Sequence, residues 1–284
     1  MSSSLPYKKS GDKYFDAKRV AKTIREICSV SQFVDPFTPT SSNVSMLERY
    51  LRLSKQRLSV VSRRFEELGY KMIAQEFKFQ GLTALNAVFL KGDISDDMIL
   101  FTAHHDYCAG LGAEDNATGL AMMLELGRCL EQKSSSFIFA SFDLEELDLL
   151  GSRHFIVTDY GEQIKEKLSG VIALECLGSG KDAVICRTVA GAKSDPSLVS
   201  KLESSARRLG YPVALEDFRW FNSDQVPFAQ QGIPTAEICS FNSQNYMGGP
   251  SKDVNVAHSR FDIPKNIHLS TLKVIGEILL QFTN

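Results

Sequence analysis

The chain is poor in histidine and lacks the cysteine spacing from which metal centres and disulfide frameworks are usually built. Its 284 residues contain five histidines and six cysteines. The cysteines show no paired CxxC spacing, which argues against a zinc finger or a redox dithiol, and we expect them to be reduced and buried. Because the histidines are few and scattered, a metal centre in this chain would take most of its ligands from carboxylates.

Neither an excess of one charge nor a long apolar run is present. The 32 lysines and arginines nearly balance the 34 acidic residues, and the formal net charge is -2. This balance gives no attraction for nucleic acid or an anionic membrane, so we expect neither as a partner. The apolar runs are too short to span a bilayer, and none follows the basic residues at the N-terminus, so we expect a cytoplasmic protein. The oligomeric state stays open.

The N-terminal part of the chain predicts helices followed by an antiparallel pair of strands. Apolar residues recur at helical spacing and then give way to alternation of apolar and polar residues. The predicted helices are 13–29 and 46–68, and the predicted strands are 71–79 and 84–90. We expect the pair of strands at a sheet edge and the helices of residues 1–69 packed on the rest, so that residues 1–284 form one domain.

The remainder predicts a sheet that is buried on both faces. Short and nearly all-apolar runs alternate with helical segments, as in parallel sheets covered by helices. The runs are MILFTA at 98–103, FIFASF at 137–142 and VIAL at 171–174, with further strands near 183–187, 212–214 and 235–238. The predicted helices are 118–130, 196–209 and 268–282. The fold class is therefore α/β, a three-layer sandwich whose central mixed, mostly parallel sheet is flanked by helices.

Acidic residues and histidines follow each of the three apolar runs. His104 and Asp106 end the first run, Glu145 and Glu146 follow the second, and Glu175 follows the third. Ligands of α/β sheets bind beyond the carboxyl ends of the strands. We therefore expect these side chains to meet at one edge of the sheet.

The residue types suit a metal centre with a general base. His104 and Asp106 are two residues apart in an extended chain, so Asp106 is placed to orient a ligating imidazole. Asp115, at a loop-to-helix turn, could bridge two cations with its two oxygens. In the pair Glu145–Glu146, one side chain can bind metal while the other stays free as a base. Zn²⁺ accepts imidazole and carboxylate ligands together.

Five motifs in order carry a resemblance to a known family. They are H-x-D at His104, G-A-x-D-N-A-x-G around Asp115, D-x-E-E-x-x-x-x-G-S around Glu145, S-D-x-x-P-F-x-x-x-G-I-P from Ser223, and H-S-x-x-D from His258. Over residues 80–284 the chain resembles the co-catalytic dizinc aminopeptidases, clan MH metallopeptidases related to glutamate carboxypeptidases and glutaminyl cyclases. The resemblance implies a zinc-exopeptidase-like fold.

The resemblance also implies a role for each residue. One Zn²⁺ would bind His104, Asp115 and Glu175, and a second would bind Asp115, Glu146 and His258. Glu145 would be the general base and Asp106 would orient His104. Asp224 would be a carboxylate of the site wall that contacts substrate, although a turn residue is the alternative. Apart from the resemblance, the aromatic residues of 216–250 could either line a substrate pocket or pack in the core; they are Phe218, Trp220, Phe221 and Tyr246, of which Tyr246 is a candidate substrate contact. The implied activity is a metallo-aminopeptidase acting on peptide or aminoacyl substrates.

Two alternatives to the aminopeptidase stay open. The stretches 121–126 and 151–154 resemble glutaminyl cyclases, which would bind a single Zn²⁺ through Asp115, Glu146 and His258. Those enzymes characteristically carry tryptophan before the last histidine, where this chain has Ala257. Many relatives have aspartate at the position of Glu175 and histidine at that of Gln225. The remaining alternative is a non-catalytic binding module of the same fold, which would be marked by lost ligands, and none is missing.

Three further polar residues receive structural predictions. His105 should point away from the metal ligands, because neighbouring residues of a strand face opposite sides. His154 is expected to have a packing role and no role in the site. Asp262 precedes Ile263 and Pro264 and is expected to cap a helix there.

Overall fold

The computed structural model describes residues 14–35, 44–130, 136–219, 221–241 and 256–284. The helices are α1 Ala17–Ser29, α2 Val44–Glu67, α3 Thr118–Cys129, α4 Leu150–Ile156, α5 Asp159–Lys165, α6 Pro196–Leu209, α7 Gln225–Gln230 and α8 Leu269–Phe282. The strands are β1 Lys71–Phe79, β2 Leu82–Leu90, β3 Met98–His104, β4 Phe137–Phe142, β5 Leu168–Leu174, β6 Ala183–Val189, β7 Ala192–Lys193, β8 Val213–Phe218 and β9 Thr235–Cys239.

Within the described residues, the strands form one mixed sheet of nine strands. Their order is β1-β2-β4-β3-β5-β9-β6-β7, and β8 pairs with β6. The four middle strands, β4, β3, β5 and β9, run parallel to one another. The β1–β2 pair is antiparallel and lies at the edge, as the alternating pattern predicts. The parallel middle of the sheet brings several strand ends to the same edge.

Helices cover both faces of the sheet, which confirms the three-layer α/β architecture. Alternate residues of β4 show the division: Phe139 packs into the cluster formed with α1, α2, α3, α6 and α8. Ile138 and Ala140 pack into the opposite cluster, with Phe155 of α4 and Phe228 of α7. Because successive strand side chains point to opposite faces, an all-apolar strand is buried on both sides.

The structure departs from the sequence predictions at the start of α1 and at several short elements. The first helix begins at Ala17 instead of residue 13, because the Asp16 side chain caps it by accepting from the N–H groups of Lys18 and Arg19. Helical segments were expected between the apolar runs, but no bounds were predicted for α4 and α5, and neither α7 nor the two-residue strand β7 was predicted. No helix among the described residues combines the length and apolarity needed to cross a bilayer.

Candidate metal centre

The ends of the middle strands carry most of the predicted ligands. His104 is the last residue of β3, Glu175 follows β5 directly, and Glu145 lies in the turn after β4. Asp115 lies in the tight turn Ala113–Ala117 before α3. His258 reaches the same place from the loop before α8. The parallel strands therefore gather these residues at one edge of the sheet, as expected from their order.

Asp115 faces a different histidine with each of its oxygens. Its Oδ1 lies 3.0 Å from Nε2 of His104, and its Oδ2 lies 3.1 Å from Nε2 of His258. Glu175 Oε2 is 3.5 Å from Nε2 of His104, and Glu146 Oε2 is 3.0 Å from Nε2 of His258. The carboxylate of Asp115 is thus shared by two donor sets, each with one histidine and one glutamate.

The donor atoms fit bound cations. His104 Nε2 and Glu146 Oε1 are buried and have no well-oriented hydrogen-bond partner. Nδ1 of His104 lies 3.2 Å from the backbone oxygen of Asp106 and 3.3 Å from its Oδ1. A proton on Nδ1 leaves the Nε2 lone pair directed at the carboxylates, which is the arrangement of a ligating histidine. One imidazole with two carboxylates in each set suits Zn²⁺.

Asp106 contacts one residue of each donor set, His104 and Glu146. Its Oδ2 accepts hydrogen bonds from the Tyr50 O–H at 2.5 Å and from the backbone N–H of Glu146 at 3.1 Å. The same carboxylate faces His104 through Oδ1. The side chain is fully buried. Asp106 therefore contacts both His104 and the segment that carries Glu146.

Asp262 holds the turn that carries Asp115. Its Oδ1 accepts from the N–H of Glu114 at 2.6 Å, and its Oδ2 accepts from the N–H of Asp115 at 3.2 Å. The prediction that Asp262 caps its own helix is wrong. The short helical turn Pro264–Asn266 takes Ile263 at its capping position, which leaves Asp262 free to turn inward.

Glu114 is a buried acid that the sequence analysis missed. Its carboxylate accepts from the Gly178 N–H at 2.9 Å and from the Ser179 O–H at 2.9 Å. Burial raises the pKa of Glu114 to about 7, against these hydrogen bonds. Glu114 ties the turn before α3 to the loop after β5. Its neighbour Asp115 in the same motif was the only sequence signal for it.

The clustered carboxylates raise one another's pKa. Burial raises the pKa of Glu145 well above its usual range, and the charges of Asp224 and Glu175 add to this. Burial likewise raises the pKa of Asp224 to about 7. For Asp115, burial would raise the pKa, but the neighbouring His104 and His258 side chains outweigh burial and lower it. The site thus gathers more negative charge than its two histidines can neutralise, which favours binding of divalent cations.

A cavity of about 310 Å³ opens onto the donor atoms. Among the described residues it is lined by Asp115, Glu145, Glu146, Asp148, Glu175, Cys176, Phe221, Asn222, Ala257 and His258. Asp224 is buried and is not among the lining residues. Phe218 packs against Phe221 at 5.8 Å between ring centroids. Trp220 and Tyr246 lie outside the described residues.

Two other histidines and one cysteine have contacts that bear on their predicted roles. His105 turns away from the donor sets, as predicted, and its Nδ1 contacts Ser141 Oγ at 2.8 Å. His154 stacks on Phe77 with 4.7 Å between ring centroids, in keeping with its predicted packing role. Cys108 was expected only to fill space, but its sulfur lies within 4.8 Å of ligand atoms of Glu146 and His258. Nothing in the cysteine spacing signalled that proximity.

The chain resembles proteins of known family and structure. A model of peptidase family M28 matches residues 87–283. Aminopeptidase YwaD of Bacillus subtilis (strain 168) is 31% identical over 147 residues, which cover 50% of this chain and 32% of that protein. The chain therefore spans less than half of this curated relative.

Solved structures match almost the whole chain. BSAP, a zinc aminopeptidase from Bacillus subtilis, has a TM-score of 0.75 at 14% identity over 96% of this chain and 95% of that one. A glutaminyl cyclase from Porphyromonas gingivalis has a TM-score of 0.74 at 19% identity over 96% of this chain and 98% of that one. At such identities the likeness establishes a zinc-exopeptidase type of fold and nothing more.

Proposed function

The chain belongs to peptidase family M28, and from that premise we propose that it is a dizinc aminopeptidase that removes N-terminal residues from peptides. The observation that carries the proposal is the shared carboxylate of Asp115, whose two oxygens face His104 and His258 at 3.0 and 3.1 Å. A carboxylate placed between two histidines is suited to bridging two cations. The proposal is also supported by two similar proteins, since YwaD is named an aminopeptidase and BSAP is described as a zinc aminopeptidase.

In this proposal each zinc ion has three protein ligands. His104 and Glu175 would hold one ion, Glu146 and His258 would hold the other, and Asp115 would be shared by both. When bound, zinc polarises a substrate carbonyl and makes water more acidic. Asp106 keeps His104 in the tautomer that presents Nε2. All five ligands would then bind zinc, so none of them is needed as the general base.

Glu145 is the residue that moves the proton. It lines the cavity and lies 3.9 Å from His104 Nε2. It is absent from both donor sets, so its carboxylate is free for catalysis. Burial raises the pKa of Glu145, and a more basic carboxylate is a better proton acceptor near neutral pH. Glu145 takes a proton from the attacking water and returns it to the departing amine.

The cavity chemistry supports an N-terminal substrate. Five carboxylates line it, including the exposed Asp148, whereas no lysine or arginine is among its described lining residues. A peptide's free α-amino group is a cation at neutral pH, and negative potential attracts it. We therefore expect aminoacyl amides with a free amine to be cleaved, and their N-acetylated counterparts to be resistant.

The test is hydrolysis of a panel of fluorogenic aminoacyl amides by the zinc-loaded protein. Glu145→Gln should keep the zinc content and lower kcat by at least about 100-fold, since a general base contributes roughly 100- to 10,000-fold. Glu66→Gln, an exposed glutamate on α2, serves as the matched control and should leave kcat unchanged. Full activity of the Glu145→Gln protein with its zinc in place would reject the mechanism.

A second candidate is a single-zinc glutaminyl-peptide cyclotransferase. It is favoured by the likeness of the whole fold to the glutaminyl cyclase of Porphyromonas gingivalis, with a TM-score of 0.74. A peptide with N-terminal glutamine separates the two activities. A cyclotransferase releases ammonia and leaves the peptide bonds intact, whereas an aminopeptidase releases free glutamine and no ammonia.

A further inference from the structure

The helix α2 presents a buried polar stripe to the candidate metal centre. Tyr50, Ser54 and Arg57 are spaced four and three residues apart, so they lie on one face of the helix. They are 3%, 1% and 0% exposed, respectively. Polar side chains are rarely buried this deeply without partners. Their partners therefore indicate what this face of α2 does.

Each residue of the stripe contacts a segment that carries the site. The Tyr50 O–H donates to Asp106 Oδ2 at 2.5 Å, and the Ser54 O–H donates to Asp143 Oδ1 at 2.6 Å. Arg57 donates from Nη2 to the backbone oxygen of Gly112 at 2.9 Å. These acceptors lie after β3, after β4 and before the Asp115 turn. One helix thus contacts three of the segments that position the ligands.

The contact of Tyr50 is the one closest to a ligand. Asp106 Oδ2 accepts from Tyr50 and from the backbone N–H of Glu146, and these two donors fix the plane of the carboxylate. Its other oxygen, Oδ1, is then left 3.3 Å from Nδ1 of His104. Without the Tyr50 O–H, a single backbone N–H would hold Oδ2, and the carboxylate could rotate about its Cβ–Cγ bond.

We propose that Tyr50 is a positioning residue of the metal centre, acting through Asp106 to keep Nε2 of His104 directed at Asp115 and Glu175. The inference rests on the proposed dizinc function. It makes α2 part of the metal centre, although α2 precedes residue 87, where the match to the family model begins. The substrate and the metals do not need to touch Tyr50 for this role.

The chain offers a closely matched control in Tyr70. This tyrosine is also 3% exposed, and its O–H donates to the backbone oxygen of Gly127 at 3.0 Å, away from the donor sets. Tyr50→Phe and Tyr70→Phe each remove one buried hydroxyl and its hydrogen bond. Both should therefore lower thermal stability. Only Tyr50→Phe should alter how the protein holds zinc.

The experiment measures the rate at which the folded, zinc-loaded protein releases zinc to an excess of a chelating dye. Loss of a partner that orients a ligand costs roughly 10- to 100-fold in metal affinity. We expect release to accelerate by about 10-fold in Tyr50→Phe, since Glu146 N–H still holds Asp106, and to change less than about 2-fold in Tyr70→Phe. Equal release rates in the two variants would overturn the proposal.

A double variant shows whether Tyr50 acts through Asp106. In an Asp106→Asn background the added Tyr50→Phe change should no longer accelerate zinc release, because contacting residues are energetically coupled. An undiminished effect would overturn the proposed route. Failure of the proposed function is distinguishable, because a wild-type protein that holds no zinc would reject the metal centre itself before any variant is compared.

Discussion

At the scale of single residues, the site depends on buried polar groups with fixed protonation states. His105 stands beside the proposed ligand His104 but faces the other way, with Nδ1 2.8 Å from Ser141 Oγ. Burial lowers its pKa to about 3. The native protein therefore keeps this imidazole neutral, whereas the unfolded chain protonates it below a pKa of about 6.5.

This difference in pKa predicts a loss of stability in acid. As the pH falls below about 6.5, the unfolded state gains a proton that the native state refuses, so stability declines until about pH 3. Between pH 7 and pH 5 His105 should account for a loss of roughly 2 kcal/mol. Asparagine does not titrate in this range. The free energy of unfolding of His105→Asn, measured with urea, should therefore fall by roughly 2 kcal/mol less between pH 7 and pH 5 than that of the wild-type protein. Parallel losses in both proteins would contradict this account.

The sequence predicted residues whose neighbours along the chain define their role. His104 and Asp106 were identified from strand alternation, and their contacts agree with it. Asp262 was assigned wrongly because its partners, the N–H groups of Glu114 and Asp115, are almost 150 positions away in sequence. Tyr50 was missed for the same reason, since the hydrogen bond to Asp106 exists only once α2 has docked.

At the scale of elements, the close approach of α3 to β5 brings the turn that carries Asp115 beside Glu175. The amide of Asn116 donates to the backbone oxygen of Leu174 at 2.8 Å and to Glu175 Oε2 at 2.9 Å. Gly119 permits this approach, because a Cβ there would meet Leu174 O at 2.4 Å. The first turn of α3 therefore tolerates no side chain at this position.

Alanine at two glycines of α3 tests that approach. Gly119→Ala should lower the free energy of unfolding by roughly 1–3 kcal/mol, the usual cost of overpacking. Gly127→Ala should cost less, because its Cβ would meet side chains alone, the nearest being the Phe65 ring at 3.1 Å, and alanine favours the helix by about 1 kcal/mol. Urea unfolding compares them. A larger loss at Gly127 would contradict the importance of the contact between α3 and β5.

The positions of long periodic elements were predictable from the sequence, whereas the bounds of the short helices were not. The strands β3 and β4 are apolar throughout, and α2 repeats its apolar residues over 24 residues. By contrast, α4, α5 and α7 have seven, seven and six residues, too few for a helical period to emerge. Their formation depends on packing against the sheet, for example through Phe155 and Phe228, which local sequence does not reveal.

At the scale of the whole molecule, charge is nearly balanced overall but concentrated at one edge of the sheet. The formal net charge is only -2, yet five carboxylates line the cavity beside a single exposed histidine, His258. Like charges at this distance destabilise the folded chain unless cations neutralise them. We therefore expect bound cations to stabilise the fold.

Metal removal should therefore lower the melting temperature. Free zinc at about 100 times its Kd stabilises a protein by about 2.7 kcal/mol, which for a chain of this size corresponds to a Tm increase of roughly 5–10 °C. Differential scanning fluorimetry of the chelated and zinc-loaded protein measures this shift. Asp115→Ala, which lacks the shared carboxylate, should show a smaller one. Equal Tm values with and without zinc in the wild-type protein would contradict the expectation.

The most direct test of the central claim is the zinc content per chain of the wild-type protein and of Asp115→Ala, dialysed together at the same free zinc concentration. If Asp115 bridges two ions, the wild-type chain should hold about two zinc ions and the variant should hold fewer than one, since both donor sets lose a ligand. About one zinc ion in each protein would contradict the dizinc account and favour the single-zinc cyclotransferase.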